Sequence, residues 1–258
     1  MTPTQRSKKV SVVAGGGRGI GATVASQLSE LGHEVIVLDF PEPVDLGKYQ
    51  SGSILESSHP SFGLDLRDEV ALQGCTKAIF DRFGEIDTLT ITAGAIDGGT
   101  SALNLCGEEI LESFSRNVLP IHNCIRAFAS IMTNDSWNNP FTRSIVALTS
   151  VASIKALRGL AAYSTAKAGL RGYLMVTALE LSDIELRLNV VVPGSTRGAM
   201  LDASRDLYRL QSSDEFAIHH LSKRIIEREE VAEAIISLHR NTAMIASEVV
   251  VDGGMAHS

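Results

Sequence analysis

Short apolar runs alternate with longer amphipathic ones along most of the chain. Residues 10–14, Val-Ser-Val-Val-Ala, are the first mostly apolar run and read as a buried strand. Residues 19–32 then put Ile20, Val24, Leu28 and Leu31 on one helical stripe. The alternation continues. Strands are predicted at 34–39, 62–66, 86–92, 144–150, 186–192 and 247–251. Helices are predicted at 68–83, 108–132, 161–181 and 229–240. Strands separated by helices predict an α/β fold with a doubly wound parallel sheet of about seven strands, covered by helices on both faces. With no internal linker or repeat, 1–258 reads as one domain.

Three stretches depart from the alternation. Residues 41–60 are rich in Pro, Gly and Ser and read as a loop, as do 133–142, which hold the single Trp137. Residues 196–222 have mixed character after the sixth strand and read either as a substrate lid or as a surface excursion. Residues 1–8 are expected to be flexible.

Composition narrows the function classes. A chain of 258 residues, 44% hydrophobic and 5% aromatic, suits one aliphatic core. Lys+Arg number 23 against 30 Asp+Glu, for a formal charge of −7. No basic block stands out, so nucleic acid is not an expected partner. No apolar run reaches membrane-spanning length, and residues 1–9 lack the apolar core of a secretion signal. Cys75, Cys106 and Cys124 are scattered, without metal-ligand spacing, and read as reduced thiols. The expectation is a cytoplasmic protein with no membrane partner and no metal.

Candidate chemistry begins at Tyr163-x-x-x-Lys167. Four residues are about one helical turn, so the phenol and the ammonium share a face. An ammonium beside a phenol is expected to lower the tyrosine pKa towards neutral and make it an acid or base for a hydroxyl or carbonyl. Gly15, Gly17, Gly19 and Gly21, with Arg18 and Ile20 among them, lie between the first strand and the first helix. Such a turn lets a phosphate approach the backbone, and the helix N-terminus offers it N–H groups. Asp39 ends the next strand, where a carboxylate accepts hydrogen bonds from both ribose hydroxyls and repels a 2′-phosphate. It favours NAD over NADP, against a minor counter-argument from the Arg18 cation. Ser150 ends the fifth predicted strand. Asn117 lies inside a predicted helix, an unfavourable place for asparagine unless its amide has a task.

These residues, with Asp65, Ala93-Gly94-Ala95, Pro193-Gly194 and Val251-Asp252-Gly253-Gly254, resemble the short-chain dehydrogenases/reductases in order and spacing over nearly the whole chain. The resemblance implies a Rossmann-type fold and an oxidoreductase that moves hydride between nicotinamide and a secondary alcohol or ketone. It implies that Tyr163 exchanges a proton with the substrate oxygen and Ser150 hydrogen-bonds that oxygen. Lys167 would tune Tyr163 and hold the nicotinamide ribose, and Asn117 would complete a proton relay. Asp65 and Leu66 would meet the adenine, Ala93 and Gly94 the adenine-side ribose, and Pro193, Gly194 and Thr196 the nicotinamide amide. A homotetramer is implied as well. Four positions depart from the family pattern: Ala14, Thr92, Gly198 and Ala246. Thr92 leaves the support of the central strand open.

Residues 189–196, Met200 and the Val-Val-Asp-Gly-Gly ending are also similar to the 2,3-dihydro-2,3-dihydroxybenzoate dehydrogenases. That points to a cyclic, carboxylated substrate. Arg158 then reads either as a partner for the carboxylate or as a solvated loop residue. Alternatives are an NADP(H)-dependent ketoreductase of secondary metabolism, a non-catalytic dinucleotide sensor, or a nucleotide-sugar epimerase or dehydratase.

Overall fold

A computed structural model describes residues 8–40, 53–55 (backbone only), 59–133 and 141–258. Of residues 1–8 only Lys8 falls among them, and most of 41–60 and of 133–142, Trp137 included, lies outside.

Eight strands form one sheet: β1 (Val10–Ala14), β2 (Glu34–Asp39), β3 (Ser53–Leu55), β4 (Ser61–Gly63), β5 (Thr88–Ile91), β6 (Ser144–Leu148), β7 (Arg187–Pro193) and β8 (Glu248–Val251). Their spatial order is β3-β4-β2-β1-β5-β6-β7-β8. Seven run parallel, as the alternation predicts; β3, inside a segment read as loop, pairs antiparallel to β4 at the edge. β1, β5, β6 and β7 are buried along their whole length, which is why they read as mostly apolar runs. The strand predicted at 62–66 stops at Gly63. There the Asp65 carboxylate accepts the Arg67 N–H at 2.8 Å, an Asx turn that takes the chain off the ladder.

Neighbouring side chains of β1 point to opposite cores. Val12 and Ala14 pack with Leu72, Ile79, Phe128, Leu170 and Leu174 from α2 (Glu69–Phe83), α4 (Leu119–Met132) and α5 (Ala161–Ser182). Val13 packs with Val24, Leu28, Val231 and Ile235 from α1 (Gly19–Glu30) and α7 (Arg228–Arg240). Each core buries one face of the sheet.

The single helix predicted over 108–132 is two: α3 (Gly107–Asn117) and α4, joined at Val118. Pro120 lacks an N–H and its ring clashes with the carbonyl four residues back, so the helix breaks here. Asn117 therefore ends α3 rather than interrupting a helix. The segment read as a lid holds α6 (Ala199–Tyr208) and a 3-10 turn (Ser213–His219), with a small core of Leu201, Phe216 and Ile225. Arg197 ties it down by pairing with both Asp214 and Glu227.

β1 lies between β2 and β5, so connections leave it in opposite directions along the sheet. Crevices for ligands form at such a switch point, beyond the carboxyl ends of the strands.

Candidate active site

The carboxyl ends of β1, β2, β5, β6 and β7 open onto a cavity of about 1300 Å³. At one end lies the glycine-rich turn. Gly15 has φ +85°, and a Cβ there would sit 2.7 Å from the Thr92 hydroxyl and 2.8 Å from the Ala93 nitrogen. Only glycine fits the turn. The N-termini of α2 and α7 are closed by Asp68 and by the Glu227–Glu230 capping box. α1 has no side-chain cap and no acidic residue in its first turn. Its N–H groups face the cavity side, where Gly15, Arg18, Gly19 and Ile20 line the wall. An uncapped N-terminus beside a side-chain-free turn fits a pyrophosphate.

Asp39 is held at this end. Its Oδ2 accepts the Gly17 N–H at 2.7 Å and its Oδ1 the Phe40 N–H at 2.8 Å. Gly17 itself is turned to Asp39 and is not part of the cavity wall, unlike the other predicted loop residues. Asp65 and Leu66 line the wall further along; the Asp65 carboxylate is gripped by Arg67, with Nη2 at 2.7 Å. Ala93, Gly94, Pro193, Gly194 and Thr196 line the middle.

Tyr163 and Lys167 occupy successive turns of α5, both buried, with the ammonium 5.8 Å from the centre of the phenol ring. Ser150 stands just beyond β6, caps a short 3-10 turn through its hydroxyl, and acts on the phenol by hydrogen bonding. All three line the cavity. Asn117 lies behind them. Its Oδ1 accepts the Ala95 N–H at 3.1 Å and its Nδ2 donates to the Ser113 carbonyl at 3.1 Å. A Cβ on Gly94 would sit 3.0 Å from that Oδ1 and 3.1 Å from Lys167 Nζ. The amide thus clamps the β5 loop against the lysine.

The expected acidification of Tyr163 is not found in the protein alone. Burial pushes the phenol up to about 12, Ser150 pulls it back, and Asp97 adds to the rise. Burial pulls Lys167 down to about 8, against an upward pull from Asp97. Desolvation outweighs the Ser150 hydrogen bond at Tyr163 and the Asp97 charge at Lys167.

Beyond the pair, the cavity wall is mostly apolar, with Ile96, Leu157, Leu201 and Phe216. Arg158 is at this end, exposed, and its backbone carbonyl accepts the Tyr208 hydroxyl at 2.5 Å. His219 also lines it, whereas His220 is fully buried and donates from Nδ1 to the Phe216 carbonyl at 3.1 Å. Among the described residues no group of three His, Cys, Asp or Glu is arranged to hold a metal.

Residues 14–256 match a family model described as Enoyl-(Acyl carrier protein) reductase. The chain belongs to the short-chain dehydrogenase/reductase family. Similar curated members include a 2,3-dihydro-2,3-dihydroxybenzoate dehydrogenase of Bacillus subtilis, 28% identical with 95% of each chain covered. A 3-oxoacyl-[acyl-carrier-protein] reductase of Mus musculus is 27% identical, with 96% of this chain and 98% of the relative covered. Among solved structures, ligand-free aldohexose dehydrogenase of Thermoplasma acidophilum superposes with a TM-score of 0.83 at 21% identity, covering 97% of this chain and 95% of the other. ElxO with NADP bound gives 0.83 at 20% identity, covering 97% and 100%. These structures share the fold.

Within this short-chain dehydrogenase/reductase, the unusual Thr92 has a definite place. Its hydroxyl donates to the Gly15 carbonyl at 2.9 Å, so it ties β5 to the glycine turn. Sequence reasoning missed several residues around the site. Lys155 lines the cavity and donates to the Met255 and Ser258 carbonyls at 2.6 and 2.7 Å, bringing residues 255–258 to the wall. Asp97 was missed because an aspartate beside Gly98 and Gly99 reads as an ordinary turn residue. Only its place after the Ala93-Gly94-Ala95 segment hinted otherwise.

Proposed function

We propose that this protein is an NAD(H)-dependent dehydrogenase that moves hydride between nicotinamide and a secondary alcohol or ketone on a small cyclic molecule. The observation that carries the reading is the buried Tyr163–Lys167 pair opening, with Ser150, onto the cavity that also holds the uncapped α1 N-terminus. When bound, the nicotinamide accepts or supplies hydride. The remaining tasks fall to the chain. In oxidation, Tyr163 takes the hydroxyl proton as the carbon loses hydride; in reduction it returns one to the carbonyl oxygen. Ser150 donates to that oxygen as charge develops on it. Lys167 brings a positive charge to a phenol that burial otherwise keeps protonated, and the oxidised nicotinamide adds a second. Asn117 holds the Gly94–Ala95 turn against Lys167, which fits a place in a proton relay.

The Asp39 carboxylate beside Gly17 supports NAD over NADP, because a 2′-phosphate would meet a fixed negative charge. Arg18 on the same wall supports the second reading, an NADP(H)-dependent ketoreductase, and the 3-oxoacyl reductase among the relatives supports its keto reduction. Arg158 at the apolar end supports a substrate with a carboxylate, in line with the Bacillus relative. The same proposal takes 1–258 as one domain of a cytoplasmic homotetramer. Exposed Leu111 on α3 and Val176 and Leu179 on α5 suit contact with a second copy.

Nicotinamide absorbance with a panel of cyclic alcohols and ketones tests the reading. NADH is expected to bind more tightly than NADPH, and Asp39→Asn is expected to narrow the difference by roughly tenfold or more. Tyr163→Phe is expected to lower turnover about 10²–10⁴-fold with NADH binding retained. Turnover that survives the substitution sinks the assignment.

A further inference from the structure

Residues 252–258 follow β8 and reach the cavity wall through Met255 and Ser258, and the reading above gives them no task. Their only regular structure is a 3-10 turn (Met255–His257), yet they are held from several sides. From within, the buried Asp252 carboxylate accepts the Gly254 N–H at 2.8 Å and the Ala256 N–H at 2.6 Å. From the segment read as a lid, the Ser222 N–H donates to the Gly253 carbonyl at 3.0 Å, and the His219 carbonyl accepts the Ser258 hydroxyl at 2.6 Å. From the loop after Ser150, Lys155 Nζ donates to the main-chain oxygens of Met255 and Ser258 at 2.6 and 2.7 Å, and to the Ser258 hydroxyl at 2.8 Å. From the segment after β7, the Ser195 hydroxyl donates to the Met255 sulfur at 3.6 Å. Met255 is buried but belongs to none of the apolar cores among the described residues. It lines the cavity instead, as do Leu157, Leu201 and Phe216.

We propose that Met255 is a specificity-determining residue, the part of the wall that limits how large a ring the substrate end takes, and that Lys155 is the positioning residue that holds it there. The inference rests on the dehydrogenase reading for the reaction itself. A wall sorts guests by size only where it does not yield, and close-packed, hydrogen-bonded chain resists yielding. The main chain is fixed just before Met255 by Asp252 and just after it by Ser258. Lys155 adds three hydrogen bonds at Met255 and Ser258. Its own N–H donates to the Val151 carbonyl at 2.9 Å, in the 3-10 turn that Ser150 caps. The ammonium therefore sets the spacing between the Met255 wall and the hydroxyl proposed to meet the substrate oxygen.

The test is the ratio of kcat/KM for decalone, a fused two-ring ketone, to that for cyclohexanone, read by NADH oxidation in the full chain. Met255→Ala removes the thioether from the wall and is expected to raise the ratio roughly tenfold or more, the discrimination that one methylene gives in an apolar pocket. Met255→Phe fills the same space and is expected to lower the ratio, and it serves if Met255→Ala does not fold. Lys155→Met frees the segment and is expected to raise the ratio, with Lys155→Arg recovering part of the wild-type value. General damage to the fold lowers both rates and leaves the ratio where it was. In the cofactor-free protein, amide exchange at Gly254 and Ala256 is expected to be on the order of tenfold faster in Lys155→Met. A ratio that Met255→Ala does not raise, or that Met255→Phe does not lower, overturns the assignment of Met255. An unmoved ratio or unchanged exchange in Lys155→Met overturns that of Lys155. A wild type that binds no NADH, or reduces neither ketone, sinks the dehydrogenase reading and this inference with it; intact turnover with an unmoved ratio sinks the inference alone.

Discussion

Replacing Lys167 by methionine is expected to make the protein more stable while ending its proposed chemistry. Methionine fills much the same volume and carries no charge into the interior. Burial lowers the ammonium from 10.5 to about 8. That gap of about 2.5 pH units is on the order of 3 kcal/mol against the charged form at 1.36 kcal/mol per unit. The upward pull of Asp97 is already inside that gap, so the expected gain is about 3 kcal/mol at pH 7. For a chain of this size that is roughly 6–12 °C in melting temperature. The sign changes with pH in a defined way. Below pH 8 the lysine is charged in both folded and unfolded chains, and the full disadvantage is present. Between about pH 8 and 10.5 the unfolded chain binds more protons, so wild-type stability from this group climbs. The advantage of the variant is therefore largest at pH 7 and nearly gone by pH 10.5. Urea denaturation of both proteins at pH 7, 8.5 and 10 measures it. A variant less stable than wild type at pH 7, or a difference that does not narrow with pH, refutes the reasoning.

Arg187 is fully buried and donates to the carbonyls of Phe141, Leu238, His239, Asn241 and Met244. It thereby closes the C-terminus of α7. Arg187→Met strands these acceptors and is expected to cost on the order of 4 kcal/mol by urea denaturation, with Arg187→Lys recovering part of it. A loss under 1 kcal/mol means that water replaces the guanidinium. Ala246 sits at φ +50°, in the left-handed region, with its N–H on the Leu188 carbonyl at 3.0 Å. Ala246→Gly relieves the strain and is expected to raise stability by about 0.5–1 kcal/mol after the entropy of glycine is counted. A lower melting temperature counts against that account.

The sheet was legible because burial on both faces writes itself as apolar runs, and β1, β5, β6 and β7 fell where those runs lie. The edge was not. β3 is three residues long within a stretch rich in turn formers, and its pairing depends on β4 rather than on its own pattern. The break before α4 was written in Pro120, but the apolar period runs through it and hid it. Tyr163, Lys167 and Ser150 were found because their spacing maps to one turn and one strand end. Their ionisation was misread, since a sequence shows a neighbouring charge but not the water that folding removes. Asp97 was invisible for the same reason: only the clamps at Ala95 and Gly99 close its carboxylate oxygens off from water.

The fastening of α6 to the loop before α5 runs from the Tyr208 hydroxyl to the main-chain oxygen of residue 158, not to its side chain. Any amino acid at 158 supplies that oxygen. Mutation there can redraw what the cavity accepts, trading a cation for an apolar or acidic group, without undoing the tether between the two segments. Within one scaffold, molecular preference at this position is free to diverge while the seal over the chamber is inherited unchanged.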